Sequence, residues 1–206
     1  YSINSDFRDV KMEDGVLLPA YRLPTEAEWE FAALGLIGNS LGELVTERRT
    51  YPWNGHFVRN GDSRTAGYGS INANFVKGNG DYMGVAGALD DFGDITVNVY
   101  QYAPNDYGLY NMAGNVAEWT STAYDETVYE FSHELSPEYT YHAKVTDPPA
   151  LHRKVTRGGS WKDIGYYCQT GTRSFEYRDT SKAYIGFRSV MSYMGRGKSG
   201  DPEEWN

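Results

Sequence analysis

Cys168 is the one thiol of the chain, set in the run RGGSWKDIGYYCQTGTRS at 157–174. A thiol does chemistry when a base makes it a thiolate or when a second sulfur joins it on a metal or in exchange. Its neighbours, YYCQTGT, include no His or Lys, and the nearest cation in sequence is Arg173. By residue type alone Cys168 is a small buried hydrophobe. The run NDYGLYNMAGNVAEW offers harder donors. Asn111, Gly114, Asn115 and Glu118 supply an acid, amide side chains and glycine-permitted backbone carbonyls, oxygens of the kind calcium takes. The same residues also read as a turn in which the Asn side chains cap the backbone and Glu118 pairs with an arginine. The acidic turn GALDDFGDIT, with Asp90, Asp91 and Asp94, lacks the twelve-residue calcium loop and reads as a solvated turn. His56, His133, His142 and His152 show no HxH or HExxH spacing and read as surface or packing residues. GxSxG, GxxxxGK[ST] and the Rossmann glycine pattern are missing, which removes the commonest hydrolase, NTPase and dehydrogenase readings.

These residues need a frame to hold them. At 206 residues the chain suffices for one large domain with a real core. Eighteen tyrosines favour a loop-rich fold in which rings pack over irregular backbone and hydroxyls find partners. The net charge of −9 and the dispersed basic residues exclude a nucleic-acid binder, and suit cations or a basic partner instead. A single cysteine rules out an internal disulfide framework and a Cys-rich zinc site. No apolar run of about 18 residues occurs that would span a membrane. The first residues, YSINSDFRDVKMEDG, have no starting Met or signal-like stretch, so the reading places the chain inside a longer precursor, with any targeting or lipid-attachment segment out of view.

The clearest element is YRLPTEAEWEFAALGL. Thr25 and Glu28 have capping-box spacing, and Trp29, Ala32, Ala33 and Leu36 line one face, which predicts a helix over 25–34 ended by Gly35 or Gly38. Residues 39–110 are mostly turns punctuated by anchors such as Trp53, Phe57, Phe75 and Tyr107. Short strands are expected at 97–102, 116–121, 154–161 and 184–192. Residues 125–152 form a long polar insert; a partner contact is expected there, and removing 126–147 is expected to spare folding. Residues 1–20 read as a partial N-terminal segment, 21–194 as the domain, and 195–206 as an extended tail.

In order and spacing, YRLPTEAEWEFAA, YPWNG, ANF, APNDYGLYNMAGNVAEW, RGGSW and IGFRSV resemble the formylglycine-generating enzyme (sulfatase-modifying factor) domain from about Tyr21 to Ser192. The resemblance implies an α+β fold with little regular structure, distantly related to C-type lectins. Active members of that family oxidise a substrate cysteine with copper held by two thiolates. Setting Gly158-Gly159 on the family's glycines places Asp163 at the first cysteine position and Cys168 at the second. A hard aspartate oxygen is poorly matched to monovalent copper. The expectation is therefore a pseudoenzyme without copper. The resemblance also implies calcium at Asn111, Gly114, Val116 and Glu118, and a second calcium at Asn74, Phe75, Asp91 and Gly93.

Within the family, NVAEWTSTAYDETVYEF and DPPALHRKVTRGGSWKDIGYYCQTGTRSFEYRDTSKAYIGFRSVMSYMGR resemble the GldK/PorK lipoproteins, with GldJ as the nearest competitor. That likeness implies a structural, non-catalytic subunit of the type IX secretion and gliding machinery. It would sit at the periplasmic face of the outer membrane and self-associate in a ring with a GldN/PorN-type partner and other secretion components. Membrane attachment would come only through a lipid outside this segment. The alternatives are a formylglycine-generating-type oxidase using Cys168 and a calcium-dependent, lectin-like ligand binder.

Overall fold

The computed structural model describes residues 20–37, 40–41, 44–45, 49–53, 55–64, 67–76, 93, 95–131 and 138–192. The tail 195–206 and all of the N-terminal segment 1–20 except Ala20 lie outside the described residues. Two units are distinguished, Leu23–Arg188 and a smaller one joining Tyr1–Arg22 with Ser189–Asn206. In the smaller unit β1 (Tyr21–Arg22) pairs antiparallel with β8 (Val190–Met191).

In the larger unit α1 covers Glu26–Leu34, one residue inside the expected start. Its ends form as the sequence dictates. Thr25 accepts from the Glu28 N–H, Glu28 reaches back to the Thr25 N–H, and Gly35 closes the helix at φ +51°. Trp29 and Ala33 are buried, with Met112 packed against them. A short hairpin of β2 (Ser40–Leu41) and β3 (Leu44–Val45) follows.

The scaffold of the unit is a four-stranded sheet ordered β6-β5-β4-β7, with β4 at Ala117–Ala123, β5 at Arg153–Arg157, β6 at Ser174–Tyr177 and β7 at Ile185–Gly186. β5 runs antiparallel to both neighbours, while β7 lies parallel to β4. Of the expected strands, 116–121 is present as Ala117–Ala123, 154–161 as the shorter Arg153–Arg157, and 184–192 as the two short pieces Ile185–Gly186 and Val190–Met191. The fourth, 97–102, is not: residues 99–102 are turn and bend, and the Asn98 side chain takes the Tyr100 N–H. An Asx turn of this kind satisfies the backbone locally and competes with a strand ladder.

Helix and sheet are joined by buried charge. The Arg157 side chain, fully buried, reaches both Glu26 and Glu30, and Arg173 adds a 2.6 Å contact to Glu26. The Glu26 N–H donates to Thr122 on β4. On the same helix the Trp29 indole N–H donates to Glu118 at 2.7 Å.

The insert is fastened to the sheet. It contains α2 (Val128–Phe131), and Val128 and Ala143 are buried. Ala123 N–H donates to the Tyr139 carbonyl, Lys154 Nζ to the carbonyls of Ser121 and Tyr141, and Arg178 to that of Ala143. Deleting 126–147 would strip two buried apolar residues, take the Ala143 acceptor from Arg178 and the Tyr139 acceptor from the Ala123 N–H, and leave Lys154 with the Ser121 carbonyl alone. The expectation that such a deletion spares folding is corrected on that ground.

Candidate functional site

Three loops interlock ahead of β4 and behind β5. Gly114 N–H donates to the Gly158 carbonyl, Asn115 N–H to the Asn74 carbonyl, and Trp161 N–H to the Asn115 carbonyl. Asn111 and Asn115 hold left-handed φ values of +51° and +67°, a conformation Asn tolerates better than most residues. The Asn115 side chain spans the backbone of Val97, accepting from its N–H and donating to its carbonyl.

Gly159 lets the chain fold back on itself: a Cβ there would stand 2.9 Å from the Tyr167 carbonyl group. This return brings Asp163 and Cys168 together behind the loop. Asp163 is occupied by its own turn, because one carboxylate oxygen accepts from the Ser160 N–H at 3.0 Å and from the Ser160 hydroxyl at 2.5 Å. Its backbone carbonyl accepts from Val76. Cys168 is free, 1% exposed, and packed with Tyr51, Ile71, Ala73, Phe75 and Ala113. Burial pushes its thiol up to about 12, the Asp163 charge adds to that shift, and a backbone hydrogen bond at Gly114 opposes it. The reading of Cys168 as a buried hydrophobe agrees with this packing.

A thiol whose folded pKa lies above its ordinary value of 9.0 favours the folded state fully below pH 9, and that stability is lost as the pH rises toward 12. We expect Cys168 in the native protein at pH 8 to resist a thiol reagent such as DTNB, and one thiol per chain to react in denaturant. Cys168→Ala should flatten the fall of Tm above pH 9. Rapid labelling of the native thiol, or an unchanged alkaline slope, contradicts this.

The Asp163–Cys168 pair does not fit a two-thiolate copper centre. It has one sulfur, held protonated, and a carboxylate engaged by Ser160. For calcium the donors are divided. Asn111 Oδ1 is buried without a hydrogen-bond partner, as a cation ligand would be. Both Glu118 oxygens, however, are held by Arg188, at 2.7 and 2.8 Å, and one also by Trp29. The positive charge beside Glu118 is thus a guanidinium, and both carboxylate oxygens that it would offer to calcium with Asn111, Gly114 and Val116 are already engaged. In the second set Asn74 Nδ2 donates to the Ile95 carbonyl, Phe75 is a core residue, and a Cβ on Gly93 would meet Val97. Asp91, like Asp90 and Asp94, lies outside the described residues. Among the described residues no group of three His, Cys, Asp or Glu side chains is placed to hold a metal.

A cleft of about 390 Å³ opens beside Asp163, between the 159–167 loop and the sheet. Tyr124, Phe175, Tyr167 and Tyr184 contribute rings to its wall, and Lys162, Arg173, Asp163 and Glu176 contribute charges. Lys162 Nζ sits 3.4 Å over the Tyr184 ring, and the Tyr184 hydroxyl donates to Glu176. Glu176 and Tyr184 belong to the aromatic and arginine-bearing stretch RSFEYRDTSKAY, which reads from sequence as a candidate contact surface, whereas Lys162 carries no such signal. Only its position inside the glycine-pair run marks it.

Residues 3–193 match the family described as Sulfatase-modifying factor enzyme 1-like domain. The chain is 34% identical to the formylglycine-generating enzyme of Streptomyces coelicolor over 81% of its length and 45% of that protein's. It is 32% identical to the formylglycine-generating enzyme of Mus musculus over 84% of its length and 40% of that protein's. An inactive C-alpha-formylglycine-generating enzyme 2 of Mus musculus is 30% identical over 86% of the chain and 44% of that relative. Among solved structures, PvdO from Pseudomonas aeruginosa superposes with a TM-score of 0.59 and 20% identity, covering 85% of this chain and 54% of PvdO. The chain spans less than half the length of these sequence relatives. They carry the likeness to the family and nothing specific to GldK/PorK.

These relatives correct the expectation that the chain is no enzyme, because the proteins it resembles include named enzymes as well as an inactive one. The physical reason is that the expectation rested on a single metal pair and not on the rest of the cleft. The cleft beside Asp163 still carries two carboxylates and a lysine, groups of the kinds that serve proton transfer.

Proposed function

The chain belongs to the sulfatase-modifying factor enzyme 1-like family, and from that premise we propose that it is a polypeptide-handling subunit of the type IX secretion and gliding machinery. In this reading it assembles in a ring with a GldN/PorN-type partner at the periplasmic face of the outer membrane, anchored by a lipid outside this segment. Its cleft holds a segment of a partner polypeptide. The cleft of about 390 Å³ beside the 159–167 loop is where this reading seats it. The observation that carries the assembly reading is the insert: its carbonyls are held by Lys154 and Arg178, and Val145 stands 95% exposed on it. A fixed protrusion tipped with an apolar side chain suits a permanent contact better than a loose arm does.

The test is co-expression with the GldN/PorN-type partner followed by sizing and imaging. The parent should elute as a high-mass ring. Val145→Glu should elute mostly as separate subunits with an unchanged Tm, because its side chain is exposed. Rings at parental yield refute the role of the insert, and a parent that ignores the partner refutes the assembly reading.

The second reading is oxidation of a peptide cysteine, favoured by the identity to the two formylglycine-generating enzymes. A cysteine peptide incubated with the protein, copper and oxygen should then yield an aldehyde by mass spectrometry that Cys168→Ser abolishes. Product that survives Cys168→Ser, or no product, removes it.

A further inference from the structure

The charges lining the cleft are not equally committed. Asp163 is taken by Ser160, and Glu176 accepts from the Tyr184 hydroxyl and the Tyr177 N–H. Arg173 pairs with Glu26 and donates to the Asp125 carbonyl. Lys162 is the exception: it is exposed, and among the described residues its contact is with the face of Tyr184, with no carboxylate in ion-pair range. A ring face attracts an ammonium but leaves its charge uncompensated. The cleft therefore presents one cation with unfilled capacity beside a wall of rings from Tyr124, Tyr167 and Phe175.

We infer that this cleft binds a partner polypeptide through an acidic side chain placed on Lys162, with the neighbouring aromatic residue of the partner against the ring wall. The inference rests on the polypeptide-handling reading above and adds the class of segment taken. The chain's charge of −9 would repel an acidic ligand at a distance. At physiological salt that repulsion is screened beyond about 8 Å, whereas a contact pair at the cleft mouth is not. Contact wins over the screened repulsion.

The experiment uses the full chain, uniformly labelled with nitrogen-15, titrated at about 0.15 M salt with N-acetyl-Tyr-Glu-amide and with N-acetyl-Tyr-Gln-amide. The glutamyl probe should shift the amides of Lys162, Glu176 and Tyr184 and bind about fivefold more tightly than the glutaminyl probe. About 0.5 M salt or Lys162→Gln should close that gap, the variant keeping the parental spectrum elsewhere because Lys162 is exposed. Sodium acetate, lacking the ring, should bind more weakly than the glutamyl probe. Equal affinity of the two dipeptides overturns the acidic class and leaves the polypeptide reading standing. Acetate binding as tightly as the dipeptide assigns the cleft to small carboxylates and overturns the inference. Shifts confined to other surfaces, or no binding by either dipeptide, overturn both readings.

Discussion

Replacing Arg157 by methionine is expected to lower the Tm by about 10 °C. The guanidinium is fully buried and ties together three parts of the larger unit. It reaches Glu26 and Glu30 on α1, donates to the carbonyls of Thr170 and Thr172 at 2.7 and 2.9 Å, and lies over the Trp29 ring at 5.4 Å. Methionine restores most of the volume and none of the donors. Two carboxylates would keep fewer partners, and two carbonyls would lose theirs. Removing one member of a buried ionic network costs about 3–5 kcal/mol. In a chain of this size each kcal/mol moves Tm by about 2–4 °C. Arg64→Met is the control, since the Arg64–Asp62 pair is largely exposed and should shift nothing resolvable. A drop of under about 2 °C in Arg157→Met by calorimetry would remove the network from the account of how α1 is held.

The second large effect is expected at Gly114. Its φ is +71°, and an added Cβ would lie 2.3 Å from the Asn74 carbonyl oxygen. That oxygen cannot retreat cheaply, because it accepts from the Asn115 N–H at 2.8 Å and Asn74 is itself buried. Gly114→Ala therefore combines left-handed strain of about 1–2 kcal/mol with a backbone clash of about 1–3 kcal/mol. Gly108 has a similar φ of +76° and open space around its Cβ position, so Gly108→Ala isolates the strain. Urea midpoints should place Gly114→Ala well below Gly108→Ala. The Gly114 variant should also expose Cys168 to thiol reagent sooner, since Gly114 adjoins that thiol. Equal midpoints for the two variants would show that the interlocked loops yield to one methyl group.

Both effects fall on contacts between residues far apart in sequence. Local signals were legible where one stretch of chain satisfies itself. Thr25, Glu28 and Gly35 contain the start and stop of α1 within eleven positions, and β4 and β5 followed from short runs of strand-forming residues. The glycine pair at 158–159 also marked the loop that carries Asp163 and Cys168. The burial of Cys168 was readable too, because no base or second sulfur lay near it in sequence. Where two local readings competed, as at 97–102, the Asn98 side chain settled the matter by taking a backbone N–H that a strand would have needed.

The partners of the charged residues were a different matter. Glu118 was legible as an acid that wanted a cation, but sequence could not say whether calcium or an arginine would supply it. Arg188, 70 positions away, does so once β7 has come alongside β4. The cleft has the same origin: Lys162, Glu176 and Tyr184 meet only after the 159–167 loop has folded back over the sheet. By itself the amino-acid sequence determined the family, the capped helix and the solitary thiol, because motif order, capping and composition are properties of neighbours along the chain. The tertiary structure alone decided which charge meets which, since in a turn-rich fold ion pairs form across long loops whose paths no local periodicity encodes.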